Sequence, residues 1–210
     1  MRQAKALIGL LVVLAWPSVA PADAAAKKKA AAPAKASAPA AGWRALFDGK
    51  DTSAWRGYKS QDLPPEWKVV DGVLTKEGKS NDIVTKDQFG DWSAPEMQVL
   101  DDAGHPDGQS RLTAAGSDYG LYPSPAGVVK PAGQWNAVRL VVNGNHVEHW
   151  LNGVKVVEYE LGSPDWEAKV KASKFKDWPN YGRAKKGVIA IQGDHEGTLE
   201  MKNIRIRELS

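Results

Sequence analysis

The hexapeptide HVEHWL, residues 146–151, carries more potential chemistry than any stretch of its length in this chain. Read as a strand, its period of two places His146, Glu148 and Trp150 on one face and Val147, His149 and Leu151 on the other. The second face is mostly apolar and is expected to meet the core. The first brings an imidazole, a carboxylate and an indole together. PEMQVL, residues 95–100, alternates in the same way, with Met97 and Val99 on one side and Glu96 and Gln98 on the other. A polar strand face in a sandwich either sees bulk water or lines the concave side of a curved sheet. Both readings stand for each strand alone, and a Glu on both favours a groove. Carboxylates and imidazoles lining a groove do general acid–base work. Of the eight tryptophans from Trp43 onward, most are expected in the core, whereas the face of Trp150 argues for a groove in which an indole stacks on a sugar ring.

Two turns gather further polar groups. LDDAGHPDG (100–108) holds Asp101, Asp102, His105 and Asp107, and QGDHEG (192–197) holds Asp194, His195 and Glu196. Oxygen and imidazole ligands at such spacing suit a divalent cation. Asp and Gly are equally the ordinary residues of turns, and that reading is the stronger. There is no G-x-S-x-G, P-loop, HExxH or CxxC, so a nucleophilic serine, a phosphate cradle and the common zinc motifs have no support.

The elements that must position these groups are nearly all strands. WKVVDGVLTKEG (67–78) is a hairpin around Asp71-Gly72. Residues 135–161 form a three-strand meander with turns at Asn143-Gly144 and Asn152-Gly153. GVIAIQ (187–192) and LEMKNIRIREL (199–209) read as one further strand each. SPDWEAKVKASKF (163–175) is the one helical stretch, capped by Ser163 or Asp165, with Trp166 and Val170 facing inward. The pattern predicts an all-β, antiparallel sandwich with one short helix.

The N-terminus is different in kind. Arg2 and Lys5 precede an apolar run over 6–16, then small residues and prolines, the order of a secretory signal peptide with cleavage expected after Ala24. The run is too short for a stable membrane span. Residues 25–41, rich in Ala, Pro and Lys, read as a disordered cationic tether whose lysines allow a weak attachment to an anionic envelope surface. The tether also explains the charge. The chain has 28 basic and 25 acidic residues, but six of the former and one of the latter precede residue 42, so the domain at 42–210 is near −2. That excludes a basic footprint for nucleic acid. The chain contains no cysteine, so an exported domain must be held by its core alone. A secreted or periplasmic location is the expectation.

Several ordered blocks then narrow the field: LFDGKDTSAWRGY, PPEWKVVDGVLT, IVTKDQFGDW, APEMQVLDDAGHPDG, AAGSDYGLYPSP, the whole meander, SKFKDWPNYGR, IQGDHEG and NIRIREL. Over residues 43–209 the chain resembles the 3-keto-disaccharide hydrolase family. The resemblance implies a concanavalin A-like (lectin/glucanase) jelly roll acting on glycosides oxidised at C3 of the sugar. In that chemistry the ketone acidifies the C2–H, a base removes it, the aglycone leaves from C1, and water adds to the glycal. It implies Glu148, His149 or His105 as base and Glu96 as acid or sugar ligand. Gln98, Asp102, Tyr119, Tyr122, Lys130, Trp150 and His195 would then bind the carbohydrate or polarise its ketone.

One departure from the family pattern falls after Asp91. Members continue from FGD into two strands before reaching the PEMQVLDD block; here only Trp92, Ser93 and Ala94 intervene. Two strands are expected to be missing, which would leave unpaired edges in the sandwich. A non-catalytic carbohydrate-binding module, or an inactivated family member, is therefore the alternative reading. A glucanase-like retaining hydrolase ranks third, because Glu96 and Asp101 would face opposite sides of their strand.

Overall fold

A computed structural model describes residues 5–9, 12–13, 42–90 and 96–209, with side chains from 42 onward. The expected cleavage site, the tether and the seam at 91–95 lie outside the described residues. In chain order the strands are β1 (Lys5–Gly9), β2 (Val12–Val13), β3 (Arg44–Phe47), β4 (Trp55–Gly57), β5 (Trp67–Val70), β6 (Val73–Glu77), β7 (Ile83–Thr85) and β8 (Phe89–Gly90). Beyond the seam come β9 (Val138–Asn143), β10 (His146–Leu151), β11 (Val154–Glu160), β12 (Lys186–Gly187), β13 (Ala190–Ile191), β14 (Thr198–Met201) and β15 (Ile204–Leu209). The helix α1 is Pro164–Ala172. All strand pairs are antiparallel.

The largest sheet has six strands in the order β11-β10-β9-β1-β15-β3. Sheets of four (β2-β14-β6-β5), three (β13-β7-β4) and two strands (β12-β8) make up the rest. One core joins them: Trp67, Leu74, Ile83 and Phe89 from the smaller sheets pack with Val142, Val147, Leu151 and Ile206 from the large one. The fold is an antiparallel β-sandwich with one short helix, as the strand pattern predicts.

Local chemistry explains the parts. The hairpin β5–β6 turns at Asp71-Gly72, both at positive φ (49° and 79°), which Gly accepts at no steric cost. The meander turns at its Asn-Gly pairs, with Asn152 at φ 51° and its side chain accepting from the Ala137 N–H at 2.9 Å. Ser163 caps α1 through the Trp166 N–H (3.2 Å), with Pro164 next, and Trp166 and Val170 are buried.

Three elements differ from the sequence reading. LEMKNIRIREL is two strands in different sheets, because Asn203 adopts φ 55° and breaks the extended run between Met201 and Ile204. GVIAIQ is interrupted at Val188–Ile189, where the Thr85 hydroxyl accepts from the Ile189 N–H at 2.9 Å in place of a backbone carbonyl. PEMQVL is not a ladder strand: Met97 makes a single bridge to Asp118.

The tryptophans also differ. Trp55, Trp67 and Trp166 are buried, but Trp43, Trp135 and Trp150 are half-buried and Trp178 is 58% exposed. Each half-buried indole lies under a cation: Arg205 and Arg207 over Trp43, Lys202 over Trp135 at 3.5 Å, and Arg139 over Trp150 at 4.3 Å. Long cationic side chains cover part of each ring, so a full place in the core is not required.

Candidate active site

The β10 alternation holds: Val147, His149 and Leu151 are buried, and His146, Glu148 and Trp150 sit on the outer face. The outer face is an ion-pair network. His146 Nδ1 lies 2.6 Å from Glu160, and its Nε2 lies 3.3 Å from Glu158 and 3.5 Å from Glu148. Lys155 bridges Glu148 (3.4 Å) and Glu158 (2.7 Å), and the Trp150 N–H donates to Glu148 at 2.7 Å. Burial pushes the Glu148 carboxyl up, but the donors Trp150, His146 and Lys155 outweigh it and hold the group below its ordinary value. A carboxylate so held is a weak base. His146, Glu148 and Glu158 bring one ligand atom each within 4.8 Å of the others, the one such group of three among the described residues. Those atoms are already occupied by Lys155 and by one another.

His149 lies on the inner face at 0% exposure. Its Nδ1 is 3.1 Å from the Gly116 carbonyl, which assigns the proton to Nδ1, while Nε2 has no hydrogen-bond partner. Burial lowers its pKa to about 4. It is a neutral imidazole set edge-on to the Tyr159 ring, with centroids 6.1 Å apart.

Asp102 and His105 hold local structure, in line with the stronger, turn-forming reading of their segment. Asp102 accepts from the Ala115 N–H (2.7 Å) and from both terminal nitrogens of Arg111 (3.1 and 3.2 Å), so it pins one loop to another. His105 caps the 3-10 turn Pro106–Gln109 by accepting from the Asp107 N–H, and Asp107 accepts from the Tyr119 hydroxyl at 3.2 Å. Lys130 is exposed and donates to the Trp135 carbonyl. Gln98 lies along a narrow apolar crevice with Val99, Ala115 and Val138. His195 and Asp194 are exposed and 3.4 Å apart, while the His195 carbonyl accepts from the buried Lys76 ammonium at 2.5 Å.

What the structure does bring together centres on Glu96 and Asp118. The 96–98 segment is tied to the 116–122 loop by Tyr119 N–H to Glu96 carbonyl (3.1 Å), Gln98 N–H to Ser117 carbonyl (3.0 Å) and Gly116 N–H to Gln98 carbonyl (2.8 Å). Asp118 closes a tight turn by accepting from the Leu121 and Tyr122 N–H groups on its backbone carbonyl. Its carboxyl is fully buried, and neither oxygen has a hydrogen bond of ordinary geometry. Burial pushes its pKa up to about 7; the nearby Tyr159 hydroxyl and Glu96 amide work against that rise, and the Glu96 charge adds to it. Glu96 is half-buried and is raised by burial as well, against the pull of Lys174, Gln192 and His195.

Phenols surround this pair. Tyr122 stacks on Tyr159 at 4.6 Å and donates to Asp165 at 2.7 Å. Tyr181 is pushed up by burial and by the charges of Asp118 and Glu96. Tyr181 in turn stacks on Phe175 at 4.1 Å, which meets the exposed Trp178 edge-on at 5.4 Å. The Lys174 ammonium stands 3.9 Å over the Tyr119 ring.

Asp118, Tyr159, Lys174 and Trp178 are not among the residues the sequence reading singles out, although all four stand in blocks that mark the resemblance. A cleft of about 320 Å³ between Gly57, Asp62, Pro64, Glu66 and Asn81 is lined by neither Glu96 nor Asp118. Its acid, Glu66, is held below its ordinary value by its own backbone amide and Ser80. That cleft thus lacks a raised acid, and the chemistry decides for Glu96 and Asp118.

Comparison with known proteins agrees with the fold. The profile of the 3-keto-alpha-glucoside-1,2-lyase-like domain matches residues 42–94 and 92–207, two stretches that meet at the seam. A 3-keto-disaccharide hydrolase of Bacteroides thetaiotaomicron is 27% identical over 231 aligned positions, covering 81% of this chain and 79% of the relative. That share of 210 residues is about 170, so roughly sixty positions of the alignment face no residue here. A crystal structure of a "putative glycosyl hydrolase" from Parabacteroides distasonis superposes with a TM-score of 0.69 at 27% identity, covering 80% of this chain and 94% of that one. A second from the same organism gives 0.62 at 26% identity, covering 80% and 99%.

Proposed function

The chain belongs to the 3-keto-alpha-glucoside-1,2-lyase-like domain family, and from that premise we propose that it cleaves 3-keto-glycosides, with Glu96 as the acid–base group. The observation that carries the assignment is the pair of neighbouring carboxyl groups, Glu96 and Asp118, both lifted by burial. A base that must remove a C2 proton near neutral pH needs a raised pKa and reach to the substrate. Glu96 is part-exposed and meets both needs, whereas Asp118 is sealed and acts behind it.

In this reading Glu96 takes the C2 proton, and the C–H electrons pass into the enolate of the C3 ketone. Lys174, whose positive charge is felt at Glu96, stabilises that enolate oxygen. Collapse of the enolate expels the C1 oxygen, to which Glu96 returns the proton. Water then adds across the C1–C2 double bond, its oxygen to C1 and a proton to C2, giving net hydrolysis. Asp118 keeps its own proton up to about pH 7. It therefore places no second negative charge beside the enolate until the pH exceeds that value. The exposed Trp178 supplies a stacking face for the sugar.

The test is release of aglycone from a 3-keto-glucoside and from its parent glucoside by the purified protein. Release from the keto substrate alone, reduced about 10²–10⁴-fold in Glu96→Gln, supports the proposal. Equal release by Glu96→Gln removes Glu96 from the chemistry. Binding without release would mark a carbohydrate-binding module instead.

A further inference from the structure

The large sheet depends on a strand that comes from the far N-terminus. β9 and β15 do not pair with each other; β1 lies between them. Residues 5–9 pair with 209–205 of β15, and residues 6–8 pair with 142–140 of β9. β2 then pairs with β14 in the four-stranded sheet, Val12 opposite Met201 and Val13 opposite Glu200. The chain therefore adds one strand to each of two sheets from its first thirteen residues.

Without β1 the flanking strands would stand two strand spacings apart, roughly 9–10 Å, too far to hydrogen-bond. Each would then turn a row of backbone N–H and C=O groups into the middle of the sheet, which is costlier than an outer edge. The chain's own middle explains the vacancy. The family profile breaks at 92–94, and about sixty aligned positions of the Bacteroides relative have no counterpart here. The family pattern places two strands after Asp91 that this chain is expected to lack, and residues 5–13 supply two strands to the sheets. The sequence KALIG suits an interior strand, which is apolar on both faces more often than a surface one.

We infer that the gap between β9 and β15 is a strand-acceptor site, and that its occupant is the chain's own segment Lys5–Gly9, added by antiparallel β-augmentation. The apolar run that reads as an export leader thus has a second role in any chain that keeps it. Removal at Ala24 would leave the acceptor open.

The absence of cysteine makes the pairing directly measurable. In full-length protein made without export, Leu7→Cys with Val141→Cys places thiols on register partners. Leu7→Cys with Val154→Cys places them three strands apart. Mild oxidation should close an intramolecular disulfide in the first pair and not the second. No disulfide in the first pair, one that forms only between two chains, or equal closure of both pairs would overturn the inference. A second measurement cuts the lysine-rich tether after folding, through a site-specific protease sequence inserted in 25–41. The freed N-terminal fragment should elute with the domain at one to one. A fragment that separates on dilution refutes the acceptor site even where the disulfide forms.

Discussion

The carboxyl of Asp118 and the hydroxyl of Tyr159 are buried side by side, close enough to shift each other's titration, yet neither makes a hydrogen bond of ordinary geometry. A protonated carboxyl tolerates such a place; a carboxylate does not. Because the folded pKa of about 7 lies above the ordinary 3.8, the folded state holds a proton that the unfolded state has released. Stability contributed by this group is full below about pH 4 and falls as pH rises toward 7.

His149 works in the opposite sense. Its folded pKa of about 4 lies below 6.5, so the unfolded state takes up the proton first and stability rises with pH between those values. Each group alone gives a slope of about 1.4 kcal/mol per pH unit, and over pH 4–6.5 the two offset each other. Unfolding midpoints in urea should therefore vary little across that window. In Asp118→Asn they should rise with pH, and in His149→Gln they should fall. Parallel profiles for all three proteins would contradict the assigned protonation states.

Asp102 is expected to matter for stability and not for turnover. It joins the Arg111 guanidinium to the Ala115 N–H across two loops, and its side chain is only 15% exposed. Asp102→Ala leaves an amide and a half-buried guanidinium without their acceptor, at a cost of about 1–3 kcal/mol. Denaturant unfolding should show that loss while KM for a 3-keto-glucoside stays within twofold. A KM raised tenfold at unchanged stability would return Asp102 to the sugar ligands.

How far this site was legible in the sequence depends on which forces set it. Periodicity and turn chemistry are local, so β5–β6, the β9–β10–β11 meander and α1 followed from residues that are neighbours in the chain. His149 and Val147 were placed inward by the same rule. Glu96 was visible as an acid on a polar face. Asp118 was not, because an Asp between Ser117 and Tyr119 in a Gly-containing loop has the composition of any turn. Its burial comes from β11 and from Tyr181, which lie 41 and 63 residues further on. HVEHWL is the converse case: its two faces follow from alternation, but the hold on Glu148 by Trp150 and His146 of its own strand and Lys155 of the next depends on side-chain approaches that alternation does not give. The aromatic wall of Phe175, Trp178 and Tyr181 follows α1 at a spacing of three, a pattern the chain displays openly once the helix end is known.

That ion-pair network gives a discriminating prediction. Glu148 is held ionised and is tied to Lys155, His146 and Trp150, so Glu148→Gln should leave turnover of a 3-keto-glucoside within about twofold. Its visible effect should be on His146, whose pKa is raised by the Glu160 bond and by Glu148. A raised histidine pKa gives stability that is full below about 6.5 and lost as pH rises through the folded value. Removing Glu148 should lower the His146 pKa in an NMR titration. Loss of activity with the titration unchanged would restore Glu148 as a base.

Trp178 offers the cleanest separation of binding from chemistry. Its indole is 58% exposed and is held edge-on by Phe175 and Tyr181, and Tyr181 is coupled to Glu96 and Asp118. The half-buried indoles Trp43, Trp135 and Trp150 lie under arginine or lysine, whereas this exposed ring keeps an accessible face. Trp178→Ala removes a stacking surface and two edge-on contacts to Phe175 and Tyr181, so stability should fall by about 1–3 kcal/mol, leaving the domain folded for kinetic measurement. If the sugar stacks there in ground and transition states alike, KM should rise roughly tenfold with kcat nearly constant, the loss of about 1–2 kcal/mol of uniform binding. Unchanged KM together with the Glu96→Gln defect would put the sugar on another wall of the site and leave the acid–base assignment standing.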